Sequence, residues 1–337
     1  MPIRRRSGFT LTDVVLCVAA LALLAAMAAP ALDMARSVSF RLRCGSNLRV
    51  LGESLLLYAT ANRGQYPRTT HVPGAPPTQF TGSAAADPFA LGGPAPNDVT
   101  AALFLLVRTQ ELDPSILVCP TTSALIPWDF GGKPATAVSN FPSGLHLGYS
   151  VANPYPDAAA ARLGYRWDTT LGAEIAVMGD TNPGGSDLPR LVVSSPEQEM
   201  RKGNTLNEKR RGAQLVLFGD LHVEAVQNPF CGTQRDNIYR VAGATDGSVP
   251  TSAVIVGSPA WAGDSVLLPV ATVDPKGLES PEDHDRRRAA ERREALILAC
   301  IKWGLLGAVV VTLFTWFRRH LSHLSRLGRR GGFPPPS

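Results

Sequence analysis

Apolar residues run almost unbroken through positions 14–32, with no charged residue among those 19. After that the pattern thins to single apolar positions: Met34, Val38 and Leu42, then Leu48, Leu51, Leu55 and Tyr58. Spacings of three and four place them on one face of a helix. The pattern therefore predicts one helix over residues 9–62, about 80 Å long at the helical rise per residue. Its first half is long enough to cross a bilayer core. Pro30 lacks an N–H donor and is expected to kink it. Gly45 and Gly52 are expected to weaken it by about 1 kcal/mol each relative to alanine.

Beyond residue 62 the texture changes. Residues 63–100 are rich in Pro, Gly, Thr and Ala and read as loop. Residues 101–107 (AALFLLV) predict a short helix capped by Asn97 or Thr100. Strands are expected at 116–118, 148–153, 173–178 and 214–218, the last turning into a hairpin partner at 222–226. The fold class that follows is α+β, a long N-terminal helix packed on a mainly antiparallel sheet. Residues 251–294 read as a linker and charged juxtamembrane segment, with candidate strands at 253–256 and 265–270. Residues 295–317 form a second apolar run and predict a C-terminal transmembrane helix. In it Lys302 can snorkel outward, and Trp303 and Trp316 suit the two interfaces. An amphipathic surface helix is the competing reading of this run.

Charge sharpens this layout. The chain carries a net +5, yet residues 33–281 hold 19 basic and 22 acidic side chains. The surplus is therefore terminal: Arg4, Arg5 and Arg6 before the first apolar run, and arginines from Arg286 to Arg330 around the second. Basic clusters flanking apolar runs report membrane topology rather than phosphate binding, so nucleic acid is not an expected partner. The purely basic 318–337 tail is placed in the cytoplasm, which puts the central domain, residues 63–250, on the far side of the membrane.

Two kinds of processing fit the N-terminus. One is an ordinary secretory signal cut after Ala26-Met27-Ala28. The other begins from Gly8-Phe9-Thr10-Leu11-Thr12-Asp13, a glycine before the apolar run with one acid at its mouth. This segment resembles the prepilin-type cleavage and methylation motif, G-F-T-L-x-E. The resemblance implies that residues 1–8 are a leader, that a prepilin peptidase cuts after Gly8, and that Phe9 becomes an N-methylated terminus. It assigns to Asp13 the role of the family's glutamate, setting helix register and assembly by pairing with a neighbouring subunit's amine. Asp13 is one methylene shorter than that glutamate.

The likeness extends further. Cys44-Gly45-Ser46-Asn47-Leu48, Tyr58, Gly64-Gln65-Tyr66-Pro67, Val118-Cys119-Pro120, residues 176–183, residues 216–223 and Asp236-Asn237-Ile238-Tyr239 resemble segments of a pilin-like family abundant in planctomycete-type bacteria. Arg210 stands where that family has histidine, and Leu221 where it has glycine. The resemblance implies a structural pseudopilin-like protein of a type II secretion or type IV pilus-like system in a bacterial inner membrane. Its partners would be membrane lipid and other pilin-like subunits. A second anchor is not typical of filament subunits, so a doubly anchored extracytoplasmic binding or scaffold domain is the alternative.

Candidate chemistry is sparse. Asp220-Leu221-His222 at a strand end can open a metallophosphoesterase site, but the remaining ligands of such a site are missing from the sequence. The competing reading is a hairpin turn with Asp220 accepting backbone N–H groups. Asp220 is also a weak calcium candidate, though no segment has EF-hand spacing. No GxSxG, Walker lysine or zinc-type Cys/His spacing occurs, so no catalytic residue, cofactor or enzymatic activity is expected. Cys44 and Cys119 lie in the exported part, where oxidation is favoured. A disulfide between them and a pair of buried free thiols are both open.

Overall fold

The computed structural model describes residues 11–122, 125–184, 191–205, 212–242 and 254–270, together with Thr312 and Thr315. Expectations for Gly8, Phe9, Arg210, residues 271–311, 313–314 and 316–337 lie outside the described residues. Residues 37–278 form a compact unit of their own. It is α+β, with a five-stranded sheet in the order β4-β3-β2-β1-β5, every neighbouring pair antiparallel.

Helix α1 spans Leu11–Ala61, with Asp13 in its first turn and Pro30 inside it. An acid at this end suits the partial positive charge of a helix N-terminus. From Cys44 onward its buried positions are Cys44, Gly45, Asn47, Leu48, Leu51, Gly52, Ser54, Leu55 and Ala59, which lie along a single face. The helix ends because Arg63 and Gly64 turn left-handed, at φ 55° and 81°. The Gly64 N–H then returns to the Ala59 carbonyl at 2.8 Å, closing an open helix end.

Helix α1 lies against the sheet through its glycines. A Cβ built on Gly45 would meet Leu215 at 3.8 Å, and one on Gly52 would meet Leu217 at 3.1 Å. The two glycines thus mark the contact between helix and sheet, a role their helix propensity does not reveal. Asn47 fixes the register, its Nδ2 donating to the Tyr149 hydroxyl at 3.2 Å and to the Val118 carbonyl at 3.4 Å.

Helix α2 spans Val99–Gln110, and every residue from Val99 to Val107 is buried. Its cap is neither Asn97 nor Thr100 but Asp98, which accepts the Ala101 N–H at 2.8 Å. The two expected caps are committed elsewhere. Asn97 holds the loop backbone at Val72 and Ala75, and the Thr100 hydroxyl donates to Asp98.

The strands are β1 (Tyr149–Ala152), β2 (Ala176–Asp180), β3 (Gln214–Phe218), β4 (Val223–Val226) and β5 (Leu267–Leu268). Short helices α3 (Ala158–Arg162) and α4 (Glu197–Met200) sit in the connections. The segment 116–118 is no strand. Pro114–Leu117 make a 3-10 turn, with Asp113 accepting the Ser115 N–H and proline at the turn's start. Residues 254–256 are irregular as well.

Of the 251–294 segment read as a linker only residues 254–270 are described, and for these the structure differs. Residues 254–270 belong to the compact unit, and β5 is the sheet's edge, pairing Val151 with Leu268 and Ala152 with Leu267. Burial explains this, since Val266, Leu267 and Leu268 are fully enclosed. Likewise the helical residues 37–61 belong to the body that also holds the sheet.

Among the described residues no helix is long and apolar enough to cross a membrane. Side chains 25–34, the second half of the first apolar run, are outside that description.

Candidate functional site

Four places in the sequence promised chemistry or assembly. Asp13 stands exposed in the first turn of α1, at the head of a row of exposed apolar side chains: Val14, Leu16, Val18, Leu21, Leu23 and Leu24. Apolar residues on every side of a helix suit lipid or other helices and not water.

Cys44 and Cys119 are joined as a disulfide, with Cα atoms 5.5 Å apart. The bond links α1 to the segment that follows the 114–117 turn. Cys231 is a free thiol, and burial pushes it up to about 12, so it holds its proton and is a poor nucleophile.

The Asp220-Leu221-His222 segment is the tip of the β3–β4 hairpin. Asp220 Oδ1 accepts the His222 backbone N–H at 3.1 Å and also contacts the His222 Nδ1. The His222 ring and backbone N–H hold the Asp220 carboxyl below its usual range. The imidazole stacks flat on Phe218, centroids 4.7 Å apart and planes 9° from parallel. Leu221 takes a left-handed φ of 69°, the conformation a glycine supplies freely, and its side chain packs back towards Gly52. Carboxylate and imidazole are thus spent on each other and on the turn. Among the described residues no group of three or more His, Cys, Asp or Glu is arranged to hold a metal ion, and Asp220 belongs to no such set.

The remaining motif segments bind one another. Asn182 donates to the Tyr239 carbonyl at 3.0 Å and to the Leu267 carbonyl at 2.9 Å. Tyr239 in turn donates its hydroxyl to the Asp180 carbonyl at 3.0 Å. Tyr66 packs edge-on against Trp167, whose indole N–H donates to the Pro67 carbonyl. These residues close the sheet and its flanking loops. The cleft beside them, lined by Asn182, Gly184, Leu191, Asn237, Tyr239 and Arg240, has room for about one water.

Sequence reasoning overlooked Asp98, an acid that accepts four hydrogen bonds. It is fully buried. Oδ1 accepts from Ala101 and Thr100, and Oδ2 accepts from both the backbone and the hydroxyl of Thr81. The signal was available as an aspartate three residues ahead of an apolar helical run.

No family model, no curated protein and no solved structure matches this chain.

Proposed function

We propose that this chain is a pilin-like structural subunit, trimmed after Gly8 by a prepilin peptidase and held in a bacterial inner membrane by the first half of α1. In this reading it packs beside other pilin-like subunits of a type II secretion or type IV pilus-like system. Its 37–278 body lies outside the cytoplasm, and it catalyses no reaction.

One observation carries the proposal. A 51-residue helix starts three residues after Gly8, bears a single acid in its first turn and buries one face of its later half on an antiparallel sheet. That later half also keeps Val38, Phe40, Leu42, Val50, Leu56 and Leu57 exposed, which suits lateral contact with neighbouring helices. The disulfide fits an oxidising compartment. The motif residues in the body are engaged in packing, as a structural subunit requires.

The decisive experiment is intact-mass and N-terminal analysis of the mature protein. A methylated Phe9 at the terminus is the expected result. A terminus near Pro30 or Ala31 would remove the anchor and the proposal with it. The second apolar run, residues 295–317, favours one other reading, a resident domain anchored at both ends that shares only the processing route. Isolated filaments separate the two, because a filament subunit co-purifies with them and a doubly anchored scaffold stays in the membrane.

A further inference from the structure

Helix α1 is bare just before the body closes on it. Residues 38–43 (VSFRLR) are exposed one after another, with Val38, Phe40 and Leu42 at 53%, 41% and 69%. Cover begins at Cys44, which is 1% exposed. At about 100° per residue these side chains point to every side of the helix: Val38 and Leu42 to one, Phe40 to the opposite, Arg41 and Arg43 between them. Apolar and basic groups therefore share the whole circumference, and no face is left for water alone.

Positive charge gathers at the same place. Residues 34–52 hold Arg36, Arg41, Arg43 and Arg49 and no acid, although residues 33–281 together carry more acidic than basic side chains. Arg41, Arg43 and Arg49 are exposed. Basic residues beside an apolar run ordinarily mark its cytoplasmic end. These four lie past the other end, on the side where the Cys44–Cys119 disulfide fits an oxidising compartment. Topology does not account for them, and their chemistry calls for an anion.

We propose that residues 38–43 are a collar seated in the headgroup layer of the leaflet nearest the body, where Arg41 and Arg43 bind the phosphates of anionic phospholipid. This rests on the membrane-held reading above and names the lipid that the anchor meets. Helical rise puts residue 38 about 9 Å and residue 43 about 16 Å beyond Leu32, the end of the apolar run. Headgroups occupy roughly 5–8 Å on each side of the hydrocarbon. A tilted helix, with arginine stems bending back towards the bilayer, spans the remainder. Each guanidinium can present two N–H groups to one phosphate, which makes arginine the better residue for this task than lysine.

Lipid also fits the collar better than one neighbouring helix does. A partner helix covers a single face, whereas a lipid layer surrounds α1 and meets Val38 and Phe40 together. Leu56 and Leu57 lie further along α1, past reach of the bilayer, and remain available to neighbouring subunits.

The test places the full chain in lipid nanodiscs. Cys17→Ser, Cys231→Ala and Cys300→Ser remove the other thiols, and Ser39→Cys carries a nitroxide inside the collar at an exposed position. Collisions with oxygen and with a neutral nickel chelate read its depth. In discs containing phosphatidylglycerol the label should lie at headgroup depth, shielded from nickel. Arg41→Gln with Arg43→Gln should lower the ratio of seated to unseated label by about fivefold for each charge lost. Discs of phosphatidylcholine alone should shift the label towards water in the same way. A label that reads water in the anionic discs overturns the collar, and so does one whose depth ignores both the lipid and the arginine pair. Spin–spin broadening that grows with the number of copies per disc puts a second copy on the collar and overturns lipid as its occupant. A label at Leu21→Cys, exposed within the apolar run, keeps the two readings apart. If it reads acyl depth while residue 39 reads water, the collar alone falls. If both read water, the membrane-held reading falls too. Should the thiol replacements prevent folding, native mass spectrometry of the unlabelled chain decides. Phosphatidylglycerol retained by the wild type and lost with the arginine pair supports the collar, and equal retention overturns it.

Discussion

Gly52 of α1 and Leu217 of β3 are packed so closely that a Cβ on the glycine would lie 3.1 Å from both methyl carbons of the leucine. The same Cβ would stand 3.4 Å from Leu221 at the hairpin tip. The contact sets how near the helix can lie to the sheet. It also explains why a helix tolerates a residue of poor helical propensity here.

Gly45 and Gly52 should consequently respond in opposite ways. At Gly45 a methyl group meets only ordinary contacts at 3.8 and 4.0 Å, so Gly45→Ala should gain up to about 1 kcal/mol of stability. At Gly52 a larger side chain must push Leu217 and Leu221 aside, and Gly52→Val should lose about 1–3 kcal/mol. Urea unfolding of the two variants checks this. Equal effects would mean that the helix does not approach the sheet at Gly52.

The Cys44–Cys119 bond joins residues 75 apart in sequence, so it shortens a long loop in the unfolded chain. Reduction, or the double variant Cys44→Ser with Cys119→Ser, should lower stability by about 2–4 kcal/mol. Comparing denaturation midpoints with and without dithiothreitol tests it. The serine variant should show no further response to the reductant. Cys231, deeply protonated, should react with alkylating reagents only after unfolding.

Asp98 should be the most sensitive polar residue of the body. Asp98→Ala strands the N–H groups of Ala101 and Thr81 and two hydroxyls in a buried place. Several unpaired donors at about 1–3 kcal/mol each add up to a large share of a domain's stability. Asp98→Ala should therefore unfold the chain at room temperature or leave it with a much lower midpoint. Asn97→Ala should be milder, since it leaves one N–H, that of Val72, and two loop carbonyls without their partner. Circular dichroism melts of the two variants make the comparison.

Local pattern carried much of the fold. The apolar stripe through Leu48, Leu51 and Leu55 announced the buried face of α1, because helical spacing places those side chains together whatever they pack on. The β3–β4 hairpin was legible for the same reason, as two β-rich runs around Gly219-Asp220. The residues 116–118 misled, since a β-branched and apolar triplet reads as strand while the neighbouring Asp113-Pro114 pair bends it into a turn. The candidate chemistry at Asp220 and His222 was visible as residue types. Only their mutual hydrogen bond and the ring stacking on Phe218 showed that these groups are engaged by the turn itself.

The amino-acid sequence by itself determined the long helix, the strand pairs close in the chain and the apolar, arginine-flanked character of both ends, because these depend on spacing and composition over a few turns. Only the tertiary structure decided which aspartate caps α2, that 267–268 is an edge strand, and that Asp236 accepts the N–H of Ser265. Those outcomes depend on burial and on which backbone N–H groups converge from distant segments. No local pattern encodes such convergence, since one residue type can cap a helix, hold a loop or face solvent according to its neighbours in space.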